Sequence, residues 1–99
     1  MAVLYVGEYT STLAEFLRGG GAAQAPTITE QTVSLSGSVN MSSPFGNNTH
    51  LIRVHTDTIC SILIGFNVTA TTGNSRMAAN QTEYFGVLPG MIISAIENS

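Results

Sequence analysis

Ile59-Cys60-Ser61-Ile62-Leu63-Ile64-Gly65-Phe66 is the most apolar stretch of the chain. Alternation along an extended strand places Cys60, Ile62 and Ile64 on one face and leaves Leu63 as an apolar residue on the other. A strand that is apolar on both faces in the middle of a β-rich chain needs either a second sheet or a partner. Asp57-Thr58 marks the tight turn that leads into it, because an Asp side chain accepts hydrogen bonds from nearby backbone amides.

The same rhythm continues outward in both directions. Upstream, in His50-Leu51-Ile52-Arg53-Val54-His55-Thr56, Ile52 and Val54 point inward, and Arg53 and His55 point outward together with Leu51. Farther upstream, Thr32-Val33-Ser34-Leu35-Ser36-Gly37-Ser38-Val39 puts Val33, Leu35 and Val39 on one face. Residues 40–48, with Pro44, Gly46 and an Asn pair, read as a turn or loop around Phe45. Downstream, residues 67–75 form a polar loop with a turn at Gly73-Asn74. Arg76-Met77-Ala78-Ala79-Asn80-Gln81 is ambiguous, since Ala and Met favour helix but the run is too short for a stable one. Thr82-Glu83-Tyr84-Phe85-Gly86-Val87 returns to strand character, with the adjacent Tyr84 and Phe85 on opposite faces. After the Pro89-Gly90 turn, Met91-Ile92-Ile93-Ser94-Ala95-Ile96 forms the last strand. Six to eight short strands separated by turns at intervals of roughly ten residues predict an all-β sandwich or barrel.

The glycine run Gly19-Gly20-Gly21 divides the chain into an N-terminal arm (1–26) with a Gly-rich hinge and a β domain (27–99). Within the arm, Val3-Leu4-Tyr5-Val6-Gly7-Glu8-Tyr9 is β-prone. Leu13-Ala14-Glu15-Phe16-Leu17-Arg18 suits one or two helical turns capped by Thr12 with Glu15. Two readings stand: the arm folds back so that Tyr5, Tyr9, Phe16 and Leu17 cover an open edge, or it reaches across to a neighbour.

A chain of 99 residues buries little of its surface, and one cysteine allows no intrachain disulfide. Oligomerisation is the remaining supplement, and only 9% of the residues are charged, against about 25% in an ordinary soluble domain. Ser, Thr, Asn and Gly fill the polar positions and face a neighbouring subunit without stripping water from a charge. The candidate interface residues are Tyr5, Tyr9, Phe16, Leu17, Leu63 and Tyr84, and the expected partner is the chain itself. A net charge of −3, with no lysine and only Arg18, Arg53 and Arg76, argues against binding nucleic acid through its phosphates. Residues 2–6 lack the basic flank and length of a signal peptide, and no apolar run reaches the roughly 18 residues that cross a membrane. A cytoplasmic product with no membrane partner is expected. The Asn-x-Ser/Thr sequons at Asn40, Asn47, Asn67 and Asn80 are by-products of composition on that reading.

The residues that could carry chemistry are few. His50 and His55, five apart on a strand, point to opposite faces and share no metal by local geometry. His55 with Asp57 is the best acid/base pair in the chain, weighed against ordinary surface hydrogen bonding. Cys60, among Ile59, Ile62 and Ile64, reads as a small buried hydrophobe. No phosphate-binding loop, nucleophile elbow, zinc or calcium pattern occurs. The expectation is no catalytic, metal-binding or cofactor-binding residue, and no enzyme.

Thr49-His50-Leu51-Ile52-Arg53-Val54-His55-Thr56-Asp57-Thr58-Ile59-Cys60, then Gly65-Phe66-Asn67-Val68-Thr69-Ala70-Thr71, Ala79-Asn80-Gln81-Thr82-Glu83-Tyr84-Phe85-Gly86-Val87 and Pro89-Gly90, come in an order that resembles a group of short proteins encoded by tailed bacteriophages and prophages near their capsid genes. The resemblance covers residues 32–96 and departs from the group's usual Pro at the position of Val68. It implies a virion component, a capsid decoration or cement protein with a small β-sandwich or jelly-roll-like fold, bound as a homotrimer or homodimer on the capsid surface to the major capsid protein. It implies no catalytic residues. Two other classes were weighed: a tail- or fibre-associated module that binds a host-surface glycan through Tyr84 beside Asn67 or Asn80, and a small hydrolase or lyase built on His55 and Asp57.

Overall fold

In the computed structural model, which describes residues 2–10, 12, 14, 18 and 29–98, eight strands form two four-stranded antiparallel sheets packed as a sandwich. The strands are β1 (Val3–Tyr9), β2 (Thr29–Ser34), β3 (Asn40–Met41), β4 (Leu51–Thr56), β5 (Cys60–Gly65), β6 (Ser75–Met77), β7 (Thr82–Gly86) and β8 (Ile92–Glu97). One sheet runs β2-β1-β4-β7 and the other β3-β8-β5-β6. The pairs β2·β1, β3·β8, β4·β7 and β5·β6 alternate between the sheets, as they do along the rolled ribbon of a jelly roll.

Period-two alternation builds the core. Leu4 and Val6 of β1 align with Val33 and Gln31 of β2 and with Thr56 and Val54 of β4. They face Cys60, Ile62, Ile93 and Ala95 of the other sheet, with Phe45, Met77 and Val87 closing the sides. Leu4, Ile52, Val54 and Ile93 are completely buried, and each such side chain contributes about 1.5–3 kcal/mol relative to exposure. Phe85 packs against this core, whereas Tyr84 points out of it toward Tyr9 and Leu51.

Two expectations are corrected, and the ambiguity over residues 76–81 is resolved. Val3–Tyr9 is no arm: it lies between β2 and β4 as an interior strand of the first sheet, paired along its length on both sides. Of the two readings, Val3–Tyr9 follows the first, folding back on the β domain, but as an interior strand rather than an edge cover; the hinge and the expected arm boundary at residue 26 lie outside the described residues, as do Phe16 and Leu17. The stretch from Thr32 to Val39 is not one strand, because β2 ends at Ser34 and the chain bends at residues 36–38 to cross to the other sheet. Residues 75–77 form an edge strand, and Asn80 takes a left-handed conformation (φ 62°) in the turn that follows.

The turns separate the sandwich into unlike ends. At one end lie the connections 35–39, 57–59 and 78–81 together with Ala2 and Asn98. Backbone bonds knit it together: Leu35 N–H to Ala2 O (3.0 Å), Glu97 N–H to Ser36 O (2.9 Å), Asn98 N–H to Ile59 O (3.0 Å) and Asn80 N–H to Thr56 O (2.8 Å). At the other end lie the connections 42–50, 66–74 and 87–91.

Candidate functional sites

The loop end carries the first candidate. Phe66 and Leu88 are the two most exposed large apolar side chains among the described residues, at 57% and 54%. Phe66 leaves β5, and its ring lies against the 87–91 turn: a Cβ built on Gly90 would meet Phe66 Cε1 at 3.6 Å. That turn closes with Met91 N–H to Leu88 O (3.2 Å), and its tight path needs Gly90 at φ 88°, a backbone region that L side chains rarely adopt. Phe45 N–H bonds Met91 O at 2.8 Å, and Gly90 N–H bonds Phe45 O at 3.1 Å, so the 42–50 loop is tied to the same turn.

Glu8 anchors this end from below. It points inward from β1, is 2% exposed, and accepts Thr49 Oγ1–H (2.7 Å) and Gly46 N–H (3.0 Å) on one oxygen and Gln31 Nε2–H (3.1 Å) on the other. Gln31 in turn accepts Ser43 N–H at 2.9 Å. A buried carboxylate is tolerated only when its lone pairs are filled, and filling them here pins the 42–50 loop to the first sheet.

The outer face of the first sheet is the second candidate. All three tyrosines of the chain lie on it: Tyr5 and Tyr9 from β1 and Tyr84 from β7. Tyr5 is 47% exposed and meets the His55 ring at a centroid distance of 6.3 Å. His55 Nδ1 lies 2.7 Å from Thr82 Oγ1. Tyr9 is already buried against Leu51 and Tyr84 within this chain, so of the two expected contact tyrosines on β1 only Tyr5 offers its ring outward. Burial raises the Tyr9 phenol above its usual value, the neighbouring Tyr84 adds to this and Arg53 opposes it. A cavity of about 370 Å³ opens here, lined by Tyr5, Gly7, Tyr9, Glu30, Thr32 and Arg53.

No family model, curated protein or solved structure matched the chain.

The remaining candidates separate on inspection. Leu63 is half-buried on the outer face of the second sheet, as its alternation requires, in register with the buried Ser94 of β8 and, beyond it, with Met41 of β3, which is 48% exposed; Ile92 and Ile96 lie on the same face, two residues to either side of Ser94. Residues 68–72 fold over part of that face, with Ala70 N–H donating to Ser94 Oγ at 2.8 Å and Asn98 Nδ2–H bridging Ser61 Oγ and Thr72 O. His55 and Asp57 are engaged in different places: Asp57 Oδ1 accepts Val3 N–H (2.9 Å) and Thr58 Oγ1–H (3.0 Å), bonds that hold its carboxyl below the ordinary value of 3.8. Asp57 is thus a turn anchor rather than the orienting partner of a general base. Asn67 and Asn80 sit at opposite ends of the sandwich, both with left-handed backbone (φ 52° and 62°), and do not converge on Tyr84. Cys60 is completely buried, and burial raises its thiol above the usual range. Among the described residues, no group of three or more His, Cys, Asp or Glu gathers to hold a metal ion, and no helix is long and apolar enough to cross a membrane.

Glu8 and the Gly7 depression were not singled out in the sequence. The signal for both is the alternation Leu4, Val6, Glu8 against Tyr5, Gly7, Tyr9, which places a carboxylate in the core row and a missing side chain between two tyrosines.

Proposed function

We propose that the chain is a structural subunit of a tailed-phage virion, a head decoration protein that associates with itself and seats its loop end on the major capsid protein. The observation that carries this reading is the pairing of Phe66 with the Leu88 turn at one end of the sandwich, in a chain of which only 9% is charged. Apolar side chains gathered on a loop end are the usual core of a protein contact. The Glu8 network supports the reading, because a contact surface made of loops recognises a partner with least entropy loss when the loops are held beforehand. The sequence resemblance over residues 32–96 supplies the virion setting, and the half-buried apolar row around Leu63 supplies a second surface for self-association.

Sedimentation with phage heads that lack the protein tests this. Saturable binding at a fixed number of chains per capsomer is expected, with loss of binding in a Phe66→Ser, Leu88→Ser double variant that keeps its fold. Absence of binding to heads, or binding to tail particles alone, would overturn the head assignment.

A further inference from the structure

No charged residue occurs in any of the three connections that make up the loop end: residues 42–50, 66–74 and 87–91 contain no Asp, Glu, Lys or Arg. His50 is their one titratable side chain, and its Nδ1 lies 3.2 Å from Asn48 O. Among the described residues, the charges lie instead on the strands, at Arg18 and in the Asp57 turn of the opposite end. Glu8 reaches the loop end from within the sandwich, but it is buried, and its oxygens are engaged by Gly46, Thr49 and Gln31. From this uncharged ground Phe66 and Leu88 stand out, each more than half exposed. The polar side chains exposed in the same connections are neutral amides and hydroxyls, among them Asn47, Asn48, Asn67 and Thr69.

A surface of this kind selects the chemistry of what it touches. A charged group of a partner, pressed against it, would lose its water and find no opposite charge, and buried ions are tolerated only when paired. The surface also exerts no attraction on a charged partner from a distance, since long-range steering needs charge on both sides. Neutral amides and hydroxyls lose water at a smaller cost and are matched by any neutral donor or acceptor. The surface that fits is therefore itself uncharged, with apolar side chains against Phe66 and Leu88 and neutral hydrogen-bonding groups around them. We propose that the loop end recognises an uncharged apolar patch on its protein partner, in a contact that ionic strength leaves unaltered. The inference rests on the reading of the loop end as a protein contact and adds the chemistry of the surface it takes.

Charges of opposite sign placed at one position test this. Leu88→Lys and Leu88→Glu change an exposed side chain, so both should keep the parent fold by circular dichroism; if either does not, Phe66→Lys and Phe66→Glu carry the test. In sedimentation with phage heads that lack the protein, both signs should weaken binding by about tenfold or more and to a similar extent. Parent binding should stay within about twofold between roughly 0.05 and 1 M NaCl. Ser38→Lys, exposed at the opposite end, should bind as the parent does. Binding kept or strengthened by one sign and lost with the other, undiminished binding of both, or a parent affinity that falls with salt would overturn the inference. If the parent binds no heads at all, the head reading fails by itself, and three probes with one tail decide the chemistry of the loop end. In about 0.2 M salt, 1-hexanol should shift the amide signals of Phe66 and Leu88 at lower concentration than hexanoate or hexylammonium. No shift with 1-hexanol, or tighter saturation by either ion, would overturn the inference.

Discussion

The two ends of the sandwich are both closed by backbone hydrogen bonds and differ in what is added to them. The end that carries Ala2 and Asn98 has short connections, joined by backbone bonds such as Leu35 N–H to Ala2 O and by side-chain bonds of Thr56, Asp57 and Gln81 to groups close by in the same connections or in β1. The opposite end has longer loops, joined by backbone bonds of Ser42, Phe45, His50, Val87 and Gly90 and in addition by the buried carboxylate of Glu8, and it leaves Phe66 and Leu88 outside. Loss of that one carboxylate leaves two donors of the 42–50 loop without their buried acceptor, and no single side chain has that weight at the first end. The difference teaches that the loop end, bonded backbone to backbone like the other, also depends on one buried group carried by a distant strand. Both sheets serve as the frame between the ends.

The frame is tested by the largest expected effect. Ile62→Asp puts a charge into the core and should abolish the cooperative unfolding transition. Leu63→Asp, one residue along and on the outer face, should leave the fold intact while lowering the native mass in solution. Both variants folding at the parent mass would show that the two faces of β5 are wrongly assigned. Next in size, Glu8→Ala leaves Gly46 N–H and Thr49 Oγ1–H without their buried acceptor and should cost on the order of 3 kcal/mol in urea unfolding. Amide exchange should accelerate first in residues 42–50. Equal acceleration at both ends would remove the distinction between them.

Smaller effects sharpen the contrast. Gly90→Ala forces a side chain into φ 88° and should cost about 1 kcal/mol, with its new methyl in ordinary contact with Phe66. At the other end, the Asp57 carboxyl is held below 3.8 when folded, so it stabilises the protein above that pH and the gain is lost as pH falls through the lower folded value. Asp57→Asn should lower stability at pH 7, flatten the acid limb of the stability profile below about pH 4 and approach the parent once the parent's carboxyl is protonated. An unchanged acid limb would mean that the Val3 bond contributes nothing to closing that end.

Most of the frame was legible because local alternation carries it. The inward rows Ile52/Val54 and Cys60/Ile62, the outward Leu63 and the turns at Asp57-Thr58 and Pro89-Gly90 are all visible within a few residues of sequence. What escaped depends on distant partners. β1 looked like an arm because a glycine run separates it from the remainder, while its register with β4, Tyr9 opposite Leu51, spans more than forty residues. Glu8 was unreadable as a buried group for the same reason, since a carboxylate belongs in water until Gly46 and Thr49 are brought to it. β6 was obscured by Met and Ala, whose helix preference has no weight in a three-residue edge strand paired to β5. Tyr9 was grouped with Tyr5 as a contact residue, whereas its burial against Leu51 and Tyr84 depends on the whole sheet.

The central claim is that the loop end, with Phe66 and Leu88, is a contact surface rather than part of the fold's support. The most direct measurement is the native mass of the parent and of the Phe66→Ser, Leu88→Ser variant, by light scattering on a sizing column with and without added major capsid protein, alongside their urea midpoints. The account predicts equal midpoints, with a complex with the capsid protein formed by the parent and lost in the variant. An unaltered complex, or a variant that loses stability without losing association, would contradict it.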